Sequence, residues 1–193
     1  MQPDTSPLLS SKEASIVPSV VGSLLYYGRA LDASILPALN TIATQQNAPT
    51  KKVKEKCERL LDYVATYPNP IVRFHASDMI LEIESDAAYL VLPKARSRAA
   101  GFFYLTNKPK TTNHPTINGA ILIECTTLRH VVSSAAEAEV GALFHNARQA
   151  LPIRHLLTSI GHPQPTTKIV TDNSTARSFI YDNINKKEAN LGT

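Results

Sequence analysis

Three acidic residues, Asp86, Glu139 and Asp172, stand where an α/β architecture would present side chains to a ligand. Asp86 closes the alternating stretch "ILEIESD", Glu139 lies in the first turns of an alanine-rich helical stretch, and Asp172 closes "KIVTD" directly before another helix. Carboxyl ends of strands in open sheets are the usual ligand-binding edge. Three carboxylates converging there repel one another unless a cation neutralises them. Acid oxygens with no histidine or cysteine beside them suit magnesium rather than zinc. Each residue also has an ordinary reading, Asp172 as a helix N-cap or Asx turn and Asp86 as a solvated turn. Sharing one pair of ions requires the three carboxyl groups to lie within about 10 Å of one another.

Two glutamates compete for the helical position. Ser134 and Glu137 have the spacing of a capping box, which gives Glu137 the task of reaching back to the backbone of the cap. Glu139 lies two residues further, about 200° around a helix of 3.6 residues per turn, and points nearly the opposite way. It cannot share the capping task and is the better candidate for a site. On the strand of Asp86, Glu84 and Glu82 share its face roughly 7 and 13 Å back along the chain, as solvent-facing or supporting groups rather than ligands.

The elements that must position these residues follow from the apolar periodicity. Residues 10 to 67 read as all-helical, starting from Ser10 and Glu13 at capping-box spacing, with Pro18 and Pro37 marking first turns or kinks. A further helix after Pro49 has the apolar stripe Val53, Cys57, Leu60, Leu61 and Val64. At "YPNP" the period changes. "IVRFH", "MILEIESDAAYLV", "AAGFFYLT" and "GAILIECTTL" read as strands, with the turn-rich "LPKARSR" and "NKPKTTNHPTING" between them. A long helix from Ser134, interrupted or restarted at Pro152 and ended by Gly161, leads to the short strand "TTKIVTDN" and the helix "STARSFIYDNI". The expected class is α/β, a mixed sheet flanked by helices and preceded by a helical segment.

Composition narrows the function. Seven glycines in 193 residues leave no glycine-built phosphate loop, and the two cysteines, Cys57 and Cys125, form no C-x-x-C pair for zinc and read as reduced thiols. No run of about 18 apolar residues and no basic-then-apolar leader appears. An intracellular protein, cytoplasmic or nuclear, is expected, without membrane partners. The net charge of +4 is compatible with a polyanionic partner. Two basic tracts could meet one: Lys51, Lys52 and Lys54 on the helix after Pro49, and Lys94, Arg96 and Arg98 in "KARSR". A solvated helix face and an ordinary basic turn are their structural alternatives.

The segments "ESDAAYLVLPKARSRAAGFFYLT", "VVSSAAEAEVGALFHNARQALPIRHLL" and "GHPQPTTKIVTDNSTA", in that order, resemble the ribonuclease H region of copia-type retrotransposon polyproteins. Typical there are a strand carrying S-D-A, a helix with S-S-x-E-A-E-x-x-A-L and a strand with D-N-x-S/T-A. The likeness spans roughly residues 79 to 180. The earlier "VVGSLLYYGRALDASILPALNTIATQQNAPTKKVKEKCERLLDYV" is similar to the helical segment that follows the polymerase palm in those polyproteins.

The resemblance implies a helical segment over 1–68 and a ribonuclease H-like domain over 69–193, with a five-stranded mixed sheet whose first three strands are antiparallel. It implies hydrolysis of the RNA strand of an RNA–DNA hybrid by two magnesium ions about 4 Å apart, held by Asp86, Glu139 and Asp172. The rest of the polyprotein, its polymerase domain included, would be the natural partner. The family's fourth site carboxylate, an Asp in a helix well downstream of D-N-x-S/T-A, has no counterpart, so the domain reads as truncated at its C-terminus. Asp182, in the helix directly after Asp172, reads as a surface residue. No Y-x-D-D palm motif occurs, so polymerase activity is not expected. Three readings stay open: an active hydrolase, a catalytically dead nucleic-acid-binding remnant, and an unrelated interaction domain whose acids are caps and turns.

Overall fold

A computed structural model of the chain describes residues 4–108 and 117–181. It divides into two compact units, one running through Phe74 and taking in Leu92–Lys94, the other comprising His75–Val91 and the chain from Ala95 onward.

The first unit is helical: α1 (Ser11–Ala14), α2 (Ile16–Ala30), a 3-10 turn (Ala33–Ile35), α3 (Leu36–Ala43) and α4 (Lys51–Thr66). Pro18 and Pro37 fall in the first turns of α2 and α3, where a missing N–H breaks no helical bond. Val17, Val20, Leu24, Leu39, Ile42, Val53, Cys57 and Leu60, at three- and four-residue spacings within each helix, close one core. Leu61, expected in the α4 stripe, is instead exposed because it is 100° around the helix from Leu60. The expected capping box at Ser10 also differs. The Ser10 hydroxyl donates to the Glu13 carboxylate at 2.8 Å and caps no backbone N–H. Glu13 in turn accepts from Lys54 at 3.0 Å.

The second unit contains an open sheet of four described strands in the order β3-β2-β1-β4, built from β1 (Ile80–Leu92), β2 (Arg96–Thr106), β3 (Ala120–Thr127) and β4 (Lys168–Val170). α5 (Ala135–Ser159) packs on it, and a further helix, α6, is described over 174–181. The unit is thus α/β with a mixed sheet. The connection from β1 to β2 is short enough to demand an antiparallel hairpin. Lys94 and Ala95 at its tip have φ of 61° and 53°, the left-handed pair of a type I′ turn, normally occupied by Asn-Gly. β2 and β3 are antiparallel, and β4 runs parallel to β1 with Glu84 opposite Val170. Leu81, Ile83 and Phe103 meet Ala150 and Leu157 of α5 in the core between sheet and helix.

Three expectations need correction here. "IVRFH" is not a strand. Pro68 and Pro70 precede it, Ile71 and Phe74 are exposed, and the His75 N–H is held by the Asn118 side chain at 2.8 Å rather than by a neighbouring strand. Arg96 and Arg98 lie in β2, since the turn ends at Ala95. Pro152 does not interrupt α5, which continues through it to Ser159. The helix then stops at Gly161, whose φ of 93° suits the residue after the cap. Its N–H bonds to Thr158 and that of His162 to Leu157, the paired closure of a Schellman motif. Asp182 lies outside the described residues, as does the chain in which a fifth strand would have to occur.

α5 is fixed to the sheet by one buried amide. Asn146 donates from Nδ2 to the Ser85 hydroxyl at 2.9 Å and to the Ala100 carbonyl at 2.8 Å. Its Oδ1 is buried without a partner against Gly101. A Cβ on Gly101 would stand 2.3 Å from that oxygen, so only glycine lets the helix come this close. Gly101→Ala should therefore destabilise the protein by about 1–3 kcal/mol and lower its melting temperature by several degrees. An unchanged thermal unfolding midpoint would show that α5 does not depend on this contact.

Candidate metal centre

β1 carries Asp86 at its middle rather than at its end as expected, two residues past its last partner on β4, and β4 brings Asp172 alongside. Continuing the parallel register from Glu84 and Val170 by two residues sets Asp172 level with Asp86. α5 supplies Glu139 from its second turn. Ser134 is the N-cap and accepts from the Glu137 N–H at 3.1 Å. Glu137 reaches back one residue further than expected, to Ser133, whose N–H and hydroxyl both lie 2.7 Å from its carboxylate. Those bonds hold its carboxyl below the usual range. The start of α5 is also tied to β1 through the Tyr89 hydroxyl, which donates to the Ser133 carbonyl at 2.9 Å. Glu137 is thus consumed by the cap and Glu139 is turned inward.

The three carboxylates meet. One oxygen from each of Asp86, Glu139 and Asp172 lies within 4.8 Å of the other two, well inside the limit for sharing ions. Asp86 and Asp172 are exposed, whereas Glu139 is buried. The Glu139 carboxylate accepts from the Ala87 N–H at 3.3 Å and, more loosely, from the Thr171 hydroxyl at 3.4 Å. Burial raises its proton affinity above that of an ordinary glutamate, the charge of Asp86 raises it further and that of Asp172 adds to this, against the opposing pull of the two donors. Unit charges about 4 Å apart near a protein surface interact by about 4 kcal/mol. The cluster is therefore strained electrostatically unless a cation shares it. The donors are all hard oxygens, which fits magnesium or manganese and not a thiolate- or imidazole-seeking ion.

The capping alternative for Asp172 does not hold. Asn173 caps α6, its Oδ1 accepting from the Ala176 N–H at 2.9 Å, while the Asn173 N–H is taken by the Thr171 hydroxyl at 3.3 Å. Thr171 and Asn173 perform the local backbone work on either side of Asp172.

The sequence reading missed several supports. Thr171 orients Glu139, and Asn146, two helical turns beyond Glu139, fixes the height of α5 on the sheet. A glycine inside the strand pattern "AAGFFY" was the available signal for that close approach. Of the two expectations for Glu82 and Glu84, the supporting role fits and the solvent-facing one does not. Glu82 is buried, and both carboxylates lie 3.2 Å from the hydroxyl of the buried Tyr104. Burial and the two neighbouring carboxylates keep that phenol protonated far above its ordinary range. Its single proton can serve only one of them at a time.

The basic candidates are scattered in their roles. Lys54 is committed to Glu13 at 3.0 Å, Arg96 donates to the Leu128 carbonyl at 3.4 Å, and Arg98 is half-buried in β2. Lys51, Lys52 and Lys94 are exposed. Beside the carboxylates an open groove of about 460 Å³ runs over the sheet, floored by Ala100, Phe102, Ile123 and Val170.

No family model, curated protein or solved structure matches this chain. The metal centre accordingly rests on its own geometry. Without divalent ions, Glu139→Gln should raise the melting temperature at pH 7. Because folding raises the proton affinity of Glu139, its ionisation penalises the fold above its folded pKa, and the penalty vanishes as pH falls below its unfolded value of about 4.3. The gain should vanish with it. Magnesium should stabilise the wild type and leave Glu139→Gln and Asp172→Asn almost unmoved. Calorimetry across this pH range checks both, and a Glu139→Gln protein less stable at pH 7 would contradict the electrostatic account.

Proposed function

We propose that the second unit is a ribonuclease H-like module of a copia-type retroelement, hydrolysing the RNA strand of RNA–DNA hybrids. The observation that carries this reading is the convergence within 4.8 Å of Asp86, Glu139 and Asp172, the same three residues that the resemblance matches to the family's site carboxylates. A mixed sheet with β1 between β2 and a parallel β4, and with α5 delivering the glutamate, is consistent with that fold.

In this reading Asp86, Glu139 and Asp172 would hold magnesium. Bound there, it would activate a water and stabilise the leaving oxygen of the scissile phosphate. The water oxygen forms a new bond to phosphorus as the bond to the 3′ oxygen breaks, leaving a 5′-phosphate and a 3′-hydroxyl. The chain's own contribution is to hold the carboxylates in place before substrate arrives. The Ala87 N–H and the Thr171 hydroxyl aim Glu139, and its two exposed partners face solvent, where a polymer strand can reach them. Preorganised charge of this kind needs no rearrangement during the reaction. Exposed Lys94 is available for phosphate contact, and recognition by backbone and 2′-hydroxyls would make cleavage tolerant of sequence.

The test is a labelled RNA–DNA hybrid incubated with the protein and magnesium. Cleavage is expected, with Asp86→Asn reducing it at least a hundredfold, since a metal ligand contributes several kcal/mol to the transition state and about 1.4 kcal/mol is a factor of ten. Cleavage that survives Asp86→Asn would overturn the assignment. Hybrid binding without turnover, lost in high salt, would instead favour the nucleic-acid-binding remnant.

A further inference from the structure

The helical unit carries a second feature that the nuclease reading does not use. Between α3 and α4 lies an open groove of about 410 Å³ with a floor of Ile35, Ala38, Ile42 and Leu60 and with Lys56 and Arg59 on its α4 side. Ser34 and Tyr63 also line it, their hydroxyls hydrogen-bonded at 3.0 Å. The charge on α4 is sorted. Glu55, Glu58 and Asp62 are absent from the lining, and neither Lys56 nor Arg59 is drawn into an ion pair among the described residues. The groove is therefore apolar at the bottom and purely cationic in its formal charge.

We infer that this groove seats an acidic amphipathic helix of a partner protein, with apolar side chains against exposed Ala38 and the shallow seam over the buried Ile35, Ile42 and Leu60, and with carboxylates against Lys56 and Arg59. A groove between two packed helices is the natural bed for a third, because ridges of side chains fill the spaces between rows. From Lys56 to Tyr63 the wall spans eight residues, a rise of about 10 Å, which matches two turns of a docked helix and anchors at i, i+3, i+4 and i+7. The floor is aliphatic, and the aromatic ring in the lining, Tyr63, packs against Tyr67 and bonds Ser34, so the groove offers a base no stacking face and favours an acidic peptide over a nucleic-acid strand.

The test uses the full chain and a fluorescein-labelled synthetic helix bearing leucines at i, i+3, i+4 and i+7 with glutamates at the flanking positions. Saturable binding by fluorescence anisotropy is expected, weakened at least tenfold by the Lys56→Glu/Arg59→Glu double variant and by exchanging the peptide's glutamates for lysines. Ala38→Trp, an exposed uncharged substitution that fills the groove, should abolish it while far-UV circular dichroism stays unchanged. Three results would overturn the proposal: equal binding of the lysine peptide, binding indifferent to both protein variants, or no saturable binding at all. Self-association lost in Lys56→Glu/Arg59→Glu, without peptide binding, would assign the groove to a second copy. Hybrid affinity lost in that variant, again without peptide binding, would assign it to nucleic acid.

Discussion

The contact on which the second unit depends is the buried amide of Asn146. Its Nδ2 grips Ser85, the residue before Asp86, and Asn146 lies two helical turns from Glu139. One side chain thus sets the distance between the strand that carries the first carboxylate and the helix that carries the second. The energy balance shows that stability is not its main product. Two hydrogen bonds contribute about 0.5–1.5 kcal/mol each, and an unpartnered buried oxygen costs about 1–3 kcal/mol. The two sides nearly cancel. What remains is register, and Gly101 is the sequence's concession to it, since any side chain there would lift α5 off the sheet.

Register matters because the carboxylates are held together against their own repulsion. Among the described residues the fold supplies two weak donors to Glu139 and none strong enough to neutralise it. A compact protein tolerates such a cluster only where the rest of the structure overdetermines it. Here the Ser134 cap, the Glu137 bonds to Ser133 and the Tyr89 link to the Ser133 carbonyl together pin the first turns of α5. The neighbouring Glu82 and Glu84 add two more carboxyl groups along β1, with the protonated Tyr104 hydroxyl of β2 between them. An anion could not approach this end of the sheet alone. In the proposed reading, a cation held there would let a phosphate approach.

Much of this could be read from residue types and spacing, because it depends on local rules. Capping spacing separated Glu137 from Glu139, the strand end before a helix located Asp172, and Gly161 marked the end of α5, whereas Asp86, expected to close a strand, lies in the middle of β1, which continues to Leu92. Non-local packing was less legible. "IVRFH" has strand-like residues but pairs with no strand among the described residues, and Pro152 stays helical because its flanking turns are held by packing against the sheet. Thr171 and Asn146 were missed for the same reason. Nothing in their sequence neighbourhoods states which element they will touch, and only a lone glycine in a strand hinted that something comes close. The basic tracts show the opposite failure: Lys54 and Arg96 looked available in one dimension and are engaged in three.

The central claim is that Asp86, Glu139 and Asp172 form one metal centre. Manganese has the same preference for oxygen ligands as magnesium and scatters X-rays anomalously. The most direct measurement is anomalous diffraction from crystals of the protein soaked in manganese. The account predicts density within bonding distance of all three carboxylates, lost in Glu139→Gln. Manganese bound elsewhere on the chain, with the three carboxylates empty or splayed apart, would contradict it.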